Sequence, residues 1–206
     1  MLKVALTGGI ATGKSHVLQR CLARGIPCLD ADALAHGTMG PGTEVSLAIA
    51  ARFGSEVLDS DGAVNRGKLG PLVFADAAAR RDLEAIVHPA VYRAITAGLR
   101  AFERMGGAEF AVVDVPLLYE TGRAGDFDRV IATVCPLEMQ IQRLIARGLS
   151  EADARQRLAA QMPAAEKAAR AHFVIGTDGT LAETDAQLER ILRDLQREGL
   201  HKPSAP

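Results

Sequence analysis

Gly8-Gly9-Ile10-Ala11-Thr12-Gly13-Lys14-Ser15 is the stretch that decides the fold. It fits the pattern G-x-x-x-x-G-K-[ST], in which a glycine-rich turn wraps an anion with its backbone N–H groups and the next helix adds its dipole. Lys3-Val4-Ala5-Leu6 before it reads as a short buried strand, and residues 14–22 after it read as a helix. In that setting Lys14 reaches the β- and γ-phosphates of a nucleotide, and the Ser15 hydroxyl can ligate Mg²⁺. The chain is expected to bind ATP through Gly8, Gly9, Ile10, Ala11, Thr12, Gly13, Lys14, Ser15 and His16.

Outward from this loop, short apolar runs alternate with helical stretches, which predicts a parallel sheet. Candidate strands lie at residues 4–6, 27–29, 110–113, 130–134 and 173–175, each apolar almost throughout, as for strands covered on both faces. The expected fold class is α/β: a P-loop NTPase-type parallel five-stranded sheet flanked by helices. Right-handed crossovers would align the C-terminal strand ends on one edge, where ligands bind. The P-loop, Asp30-Ala31-Asp32, residues 114–120 and the segment after Val134 all emerge there.

The gap from Leu29 to Phe110 is too long for one crossover helix. Its helical patterns at 44–53, 66–74, 77–86 and 89–104 predict a helical insertion over about residues 33–108. Residues 1–200 read as a single domain carrying that insertion and a helical lid at about 147–167, with a frayed tail at 201–206. Thr180 with Glu183 makes a capping box for a last helix. Leu181, Leu188, Ile191, Leu192 and Leu195 share one face of it, and Gly199 is placed to stop it.

Bulk properties narrow the function. Among 206 residues, 24 Lys and Arg nearly balance 25 Asp and Glu, so no net field points to nucleic acid or a membrane surface. Aromatics are few and Trp is absent, which argues against a base-stacking surface. Cys21, Cys28 and Cys135 are widely spaced and read as core residues of a reducing compartment. No apolar run approaches the ~20 residues of a membrane span. The first residues run directly into a core strand, leaving no room for a signal peptide. A cytoplasmic location is expected. The histidines lack metal-ligand spacing, and Asp59-Ser60-Asp61-Gly62 reads as a turn.

Three further segments could carry chemistry. Phosphoryl transfer to a hydroxyl needs a carboxylate that orients the acceptor and takes its proton. Asp30 and Asp32 both qualify by position, and a helix N-cap is the competing role for the pair. Asp32 is favoured because it lies further from the strand. Phe110-Ala111-Val112-Val113-Asp114 resembles a Walker B strand, with Asp114 placed for the Mg²⁺ shell. Residues 143–170 carry Arg143, Arg147, Arg155, Arg157, Lys167 and Arg170. A flap of this kind would neutralise charge on the transferring group and exclude water. Most of these cations fit a solvated helix with pairs such as Glu151 and Arg155. Arg147 is the first functional candidate.

These pieces together resemble the dephospho-CoA kinase family, over about residues 1–195. The resemblance rests on Leu6-Thr7-Gly8-Gly9-Ile10, Asp30-Ala31-Asp32, Asn65-Arg66-Gly67-Lys68-Leu69, His88-Pro89 and Asp114-Val115-Pro116-Leu117-Leu118-Tyr119-Glu120. It continues through Arg157-Leu158-Ala159-Ala160-Gln161-Met162-Pro163, Lys167 and Phe173-Val174-Ile175. The resemblance implies ATP-dependent, Mg²⁺-assisted phosphorylation of the ribose 3′-hydroxyl of dephospho-CoA, the last step of coenzyme A biosynthesis. It implies Asp32 as the base, Lys14, Thr7 and Arg147 in catalysis, and Asp32, Arg66, His88, Leu117 and Tyr119 on the acceptor side. The insertion would be the CoA-binding domain and the region from Arg147 to Lys167 the lid. The implied partners are ATP and dephospho-CoA, with no nucleic acid or membrane, in a monomer or homo-oligomer, trimers included. The chain departs from the family pattern at His172, at Gly176-Thr177 and at Arg147-Gly148-Leu149-Ser150. Another small-molecule P-loop kinase, or a nucleotide-binding regulator without turnover, are the competing readings.

Overall fold

In the computed structural model, residues 1–201 are described. The elements run β1 (Leu2–Gly8), α1 (Lys14–Leu22), β2 (Cys28–Asp30), α2 (Ala31–Thr38), α3 (Glu44–Phe53), α4 (Arg66–Ala75) and α5 (Ala77–Met105). They continue with β3 (Phe110–Asp114), β4 (Arg129–Val134), α6 (Leu137–Ile145), α7 (Glu151–Ala159), α8 (Ala164–Arg170), β5 (Phe173–Gly176) and α9 (Leu181–His201). The strands form one five-stranded parallel sheet in the order β2-β3-β1-β4-β5. The chain travels out to β2, then crosses back over β1 to β4, which makes β1 the strand where the winding reverses. Ligands of open α/β sheets bind at such a reversal.

The central strands are buried on both faces. Val4, Leu6, Val112 and Ile131 have no solvent contact and pack with Val17 and Cys21 of α1 and with Leu188, Leu192 and Leu195 of α9. Each such leucine or isoleucine contributes about 1.5–3 kcal/mol relative to exposure. Helix α8 lies against β4 and β1. The three cysteines are free; burial pushes the Cys21 thiol up to about 11 and Cys28 up to about 12, so both stay protonated.

The chain divides into two compact units, one of Met1–Leu29 with the chain from Ala101 onward, the other Asp30–Arg100. The second is all helical, around Met39, Val45, Ile49, Val57, Val64 and Leu69. Thr43 caps α3 through the Ser46 N–H, and Asn65 caps α4 through the Lys68 N–H. The turn at residues 59–62 closes a Leu58–Val64 bridge.

Two expectations are corrected. The patterns at 77–86 and 89–104 belong to one helix, α5, with Pro89 inside it. Proline removes one hydrogen bond and favours a kink, but Leu83, Ile86, Val87 and Ala90 carry the same apolar face across it. Gly199 does not stop α9, which runs to His201. A Cβ there would meet the Glu109 backbone oxygen at 2.6 Å, so the glycine is a packing residue. His201 therefore closes a helix, and the rest of the expected tail lies outside the described residues. The Thr180–Glu183 box forms reciprocally, Thr180 N–H donating to Glu183 at 2.7 Å and Glu183 N–H to Thr180 Oγ1 at 3.2 Å. Among the described residues no helix is long and apolar enough to cross a membrane.

Candidate active site

The loop after β1 is shaped by close approach. A Cβ on Gly8 would sit 2.2 Å from Thr133 Oγ1 and 2.6 Å from Thr12 Oγ1, so only glycine lets β1 enter the loop this near β4. Thr12 Oγ1 donates to the Gly9 carbonyl at 2.8 Å and shares a 2.7 Å hydrogen bond with Thr133. Gly13 then takes a left-handed φ of 83° and starts α1 with no side-chain cap. Among the described residues, the N–H groups of Ala11, Gly13, Lys14 and Ser15 have no hydrogen-bond acceptor. Open donors at a helix start are an anion site.

The side chains at this edge are already paired. Asp114 ends β3, and its two carboxylate oxygens each lie 2.9 Å from Lys14 Nζ. Thr7, fully buried, donates from Oγ1 to the Pro116 carbonyl at 3.3 Å. Ser15 is exposed on the first turn of α1. The sheet-bearing unit thus gathers Thr7, the loop from Gly8 to His16 and Asp114 at one edge.

Arg147 follows α6, is exposed, and lines a cavity of about 200 Å³ with Ala11, Gly13, His16, Arg143 and Thr177. His16 Nε2 bonds Asp185 at 2.8 Å, and Asp185 also pairs with Arg20 at 3.1 Å. The hydrogen bond from His16 holds the Asp185 carboxyl below its usual range, with Arg20 adding to it.

Two cations named in the sequence, but given no role of their own there, organise the surroundings of the loop. Arg143 donates to the Ala11 carbonyl at 3.1 Å, to Thr177 Oγ1 at 3.2 Å and to the Thr177 carbonyl at 2.5 Å. Thr177 Oγ1 donates in turn to the Thr12 carbonyl at 2.8 Å. Ala11 is the residue that needs holding: among the described residues it is the non-glycine with positive φ, 61°, which is unfavourable for an L-residue. Arg143 lies in the last turn of α6, and its partners are distant in the chain, so no local signal in the sequence marks this role. The departure at Gly176-Thr177 therefore has a use here, since its hydroxyl braces the P-loop. His172, the other departure, accepts from the Val130 N–H at 3.1 Å.

The second of these cations is Lys167. It is completely buried, donating to the Pro116 carbonyl at 2.6 Å and pairing with Glu120 at 2.8 Å. Burial pushes its pKa down, Glu120 pulls it back, and the Lys14 charge lowers it again. The family resemblance included Lys167, but nothing local in the sequence showed that it is buried.

Helix α7 starts at Ser150, whose Oγ accepts from the Asp153 N–H at 3.1 Å. It packs Ala154 against Ile141, Leu144 and Ala11. Arg155 pairs with Glu151 and Arg170 with Glu166, both on one helical face. After α7, Gln161 Oε1 accepts from the Ile10 N–H at 3.2 Å, and Met162 N–H donates to Glu120 at 2.9 Å. A larger cavity of about 620 Å³ lies here, lined among others by Gly9, Ile10, Gln140, Leu158 and Met162.

The acceptor candidates divide between the two units. Leu117 is exposed just after β3. Tyr119 stacks with Arg170 at 5.8 Å, and its buried hydroxyl has no hydrogen-bond partner among the described residues. Burial raises its pKa, with Arg170 opposing. Asp32, Arg66 and His88 belong to the Asp30–Arg100 unit. There the cap role falls to Asp30, which accepts from the N–H groups of Asp32 at 2.8 Å and Ala33 at 3.1 Å at the start of α2. Asp32 is exposed, and its carboxylate has no partner among the described residues. Arg66 is exposed at the first position of α4, and His88 is half-buried before Pro89 in α5.

Comparison with known proteins agrees with this geometry. The family model described as dephospho-CoA kinase matches residues 2–183. The dephospho-CoA kinase of Anaeromyxobacter dehalogenans is 47% identical over 100% of this chain and 98% of its own. The crystal structure of TT1252 from Thermus thermophilus superimposes with a TM-score of 0.79 at 34% identity, covering 94% of this chain and 97% of that one. Dephospho-CoA kinase from Campylobacter jejuni gives 0.71 at 25% identity, covering 95% and 98%. The chain belongs to the dephospho-CoA kinase family.

Proposed function

We propose that the protein transfers the γ-phosphoryl group of ATP to the ribose 3′-hydroxyl of dephospho-CoA in the cytoplasm, giving CoA and ADP. Membership of the family over nearly the whole chain supports this acceptor. The observation that carries the chemistry is the Lys14–Asp114 pair beside the open N–H groups at the start of α1. Those donors and Lys14 take the β- and γ-phosphates once Asp114 releases the ammonium. Asp32, whose carboxylate has no partner among the described residues, takes the proton of the 3′-hydroxyl as its oxygen attacks the γ-phosphorus and the bond to the β-phosphate oxygen breaks. Arg147 and Thr7 serve the transferring group, Arg147 from the lid at residues 147–167.

The hard oxygen donors of Ser15 and Asp114 suit Mg²⁺, which keeps most of its shell for phosphate and water. When bound, Mg²⁺ would neutralise charge on the phosphates. The Asp30–Arg100 unit, with Arg66 and His88, is assigned to the CoA end of the acceptor. Leu117 and Tyr119 contribute from the loop after β3, where the unpaired Tyr119 hydroxyl offers a donor.

The test is ADP release with ATP, Mg²⁺ and dephospho-CoA against a control without acceptor. Acceptor-dependent turnover, with one phosphoryl group added at the ribose, is the expected result. Turnover on another hydroxyl compound, with none on dephospho-CoA, would mark a different small-molecule kinase.

A further inference from the structure

Lys167 is the largest of the fully buried side chains, and the chemistry above leaves it without a role. Burying an ion pair is a weak source of stability, since apolar groups of similar volume often do as well or better. What the ammonium touches is more informative. The Pro116 carbonyl that accepts from Lys167 also accepts from Thr7, the residue before the P-loop. Glu120 Oε1, the partner of Lys167, also accepts from the Met162 N–H. The neighbour of Met162, Gln161, holds the Ile10 N–H of the P-loop itself. One charge therefore links the residue ahead of the loop, the segment after β3 and the return of the chain from α7.

We infer that Lys167 is a positioning residue for phosphoryl transfer: with Glu120 it fixes the lid's return segment, residues 161–163, against the P-loop. The inference rests on the kinase reading above. The nucleotide phosphates are assigned to the α1 N-terminus and Lys14, neither of which is hydrogen-bonded to Lys167. Loss of Lys167 should therefore spare nucleotide affinity and strike the geometry of the reacting groups. A displacement of roughly 1 Å there costs on the order of 10²-fold in rate.

The test compares Lys167→Met, Glu120→Gln and the double variant with the wild type. The readouts are kcat and KM for ATP, affinity for adenylyl imidodiphosphate, and hydrogen exchange over residues 150–163 with and without that analogue. Expected are a kcat at least about tenfold lower in both single variants, and analogue affinity within about threefold of wild type. The double variant should be no worse than the poorer single, because the two act as one unit. Analogue-induced protection of the return segment should also be lost. Wild-type kcat with only a lowered Tm, or a loss confined to affinity, would overturn the inference. Should Lys167→Met not fold, Glu120→Gln keeps the volume and carries the same expectations. If the wild type shows no turnover on dephospho-CoA, the acceptor reading fails. The exchange experiment still judges Lys167, because protection retained in Glu120→Gln would refute the positioning role.

Discussion

Helices α1 and α2 both begin where a strand has just ended, yet their first turns are finished in opposite ways. At α1 the cap residue is Gly13, which offers no side chain, and among the described residues the N–H groups of Lys14 and Ser15 have no acceptor. At α2 the cap is Asp30, whose carboxylate takes the N–H groups of Asp32 and Ala33 for itself. An uncapped start presents donors to a guest anion; a capped start spends them internally and leaves the next carboxylate, Asp32, without a structural duty. Two aspartates one residue apart thus diverge because a helix needs one cap.

The sharpest way to break this comparison is to exchange the duties. Asp32→Asn should lower kcat by about 10²–10⁴ with an unchanged melting curve, whereas Asp30→Ala should cost about 1 kcal/mol of stability. Turnover assays beside thermal melts read both, and a catalytic loss tracking Asp30 instead of Asp32 would reverse the assignment.

A smaller effect is expected at the uncapped start. Gly13→Ala forces a side chain into a φ of 83° and brings its Cβ to 3.3 Å from Thr177. That conformation costs about 1–2 kcal/mol, a fall of roughly 2–8 °C in Tm for a chain this size, and ATP affinity should weaken with it. An alanine variant with wild-type melting and affinity would show that the loop tolerates a capped-style residue.

The least effect concerns Asp185, the carboxylate that steadies His16 beside the loop. Its folded pKa lies below the ordinary aspartate value of 3.8. Between the two values the unfolded chain binds more protons, so stability rises with pH there and is lost as pH falls through the folded value. Asp185→Asn should flatten the acid limb of a Tm-against-pH curve, lying below wild type near neutral pH and converging on it in acid. An acid limb identical to wild type would remove Asp185 from the account.

Local chemistry made much of this legible in advance. The P-loop spacing, the apolar strands, the Ser150 start and the Thr180–Glu183 box are all encoded within a few residues, and all appear. Pro89 and Gly199 were misread as breaks because each sits on a face that tertiary packing carries onward. The bracing roles of Arg143, Thr177 and Lys167 were not foreseen because their partners are distant in the chain: Ala11 is 132 positions from Arg143, and Thr12 is 165 from Thr177. No window on the sequence contains both ends of such bonds.

The division of the chain bears on how the protein is made. The Asp30–Arg100 unit is one unbroken stretch, with its apolar cluster complete within it. The sheet is not: the cover of β1 includes Leu188, Ile191, Leu192 and Leu195 of α9, which is made after the other four strands. During vectorial synthesis the helical unit has this apolar cluster in hand while β1 and the P-loop still wait for α9. The phosphate site is made before the helix that seals the core beneath it, and loss of α9 by a premature stop would expose that core.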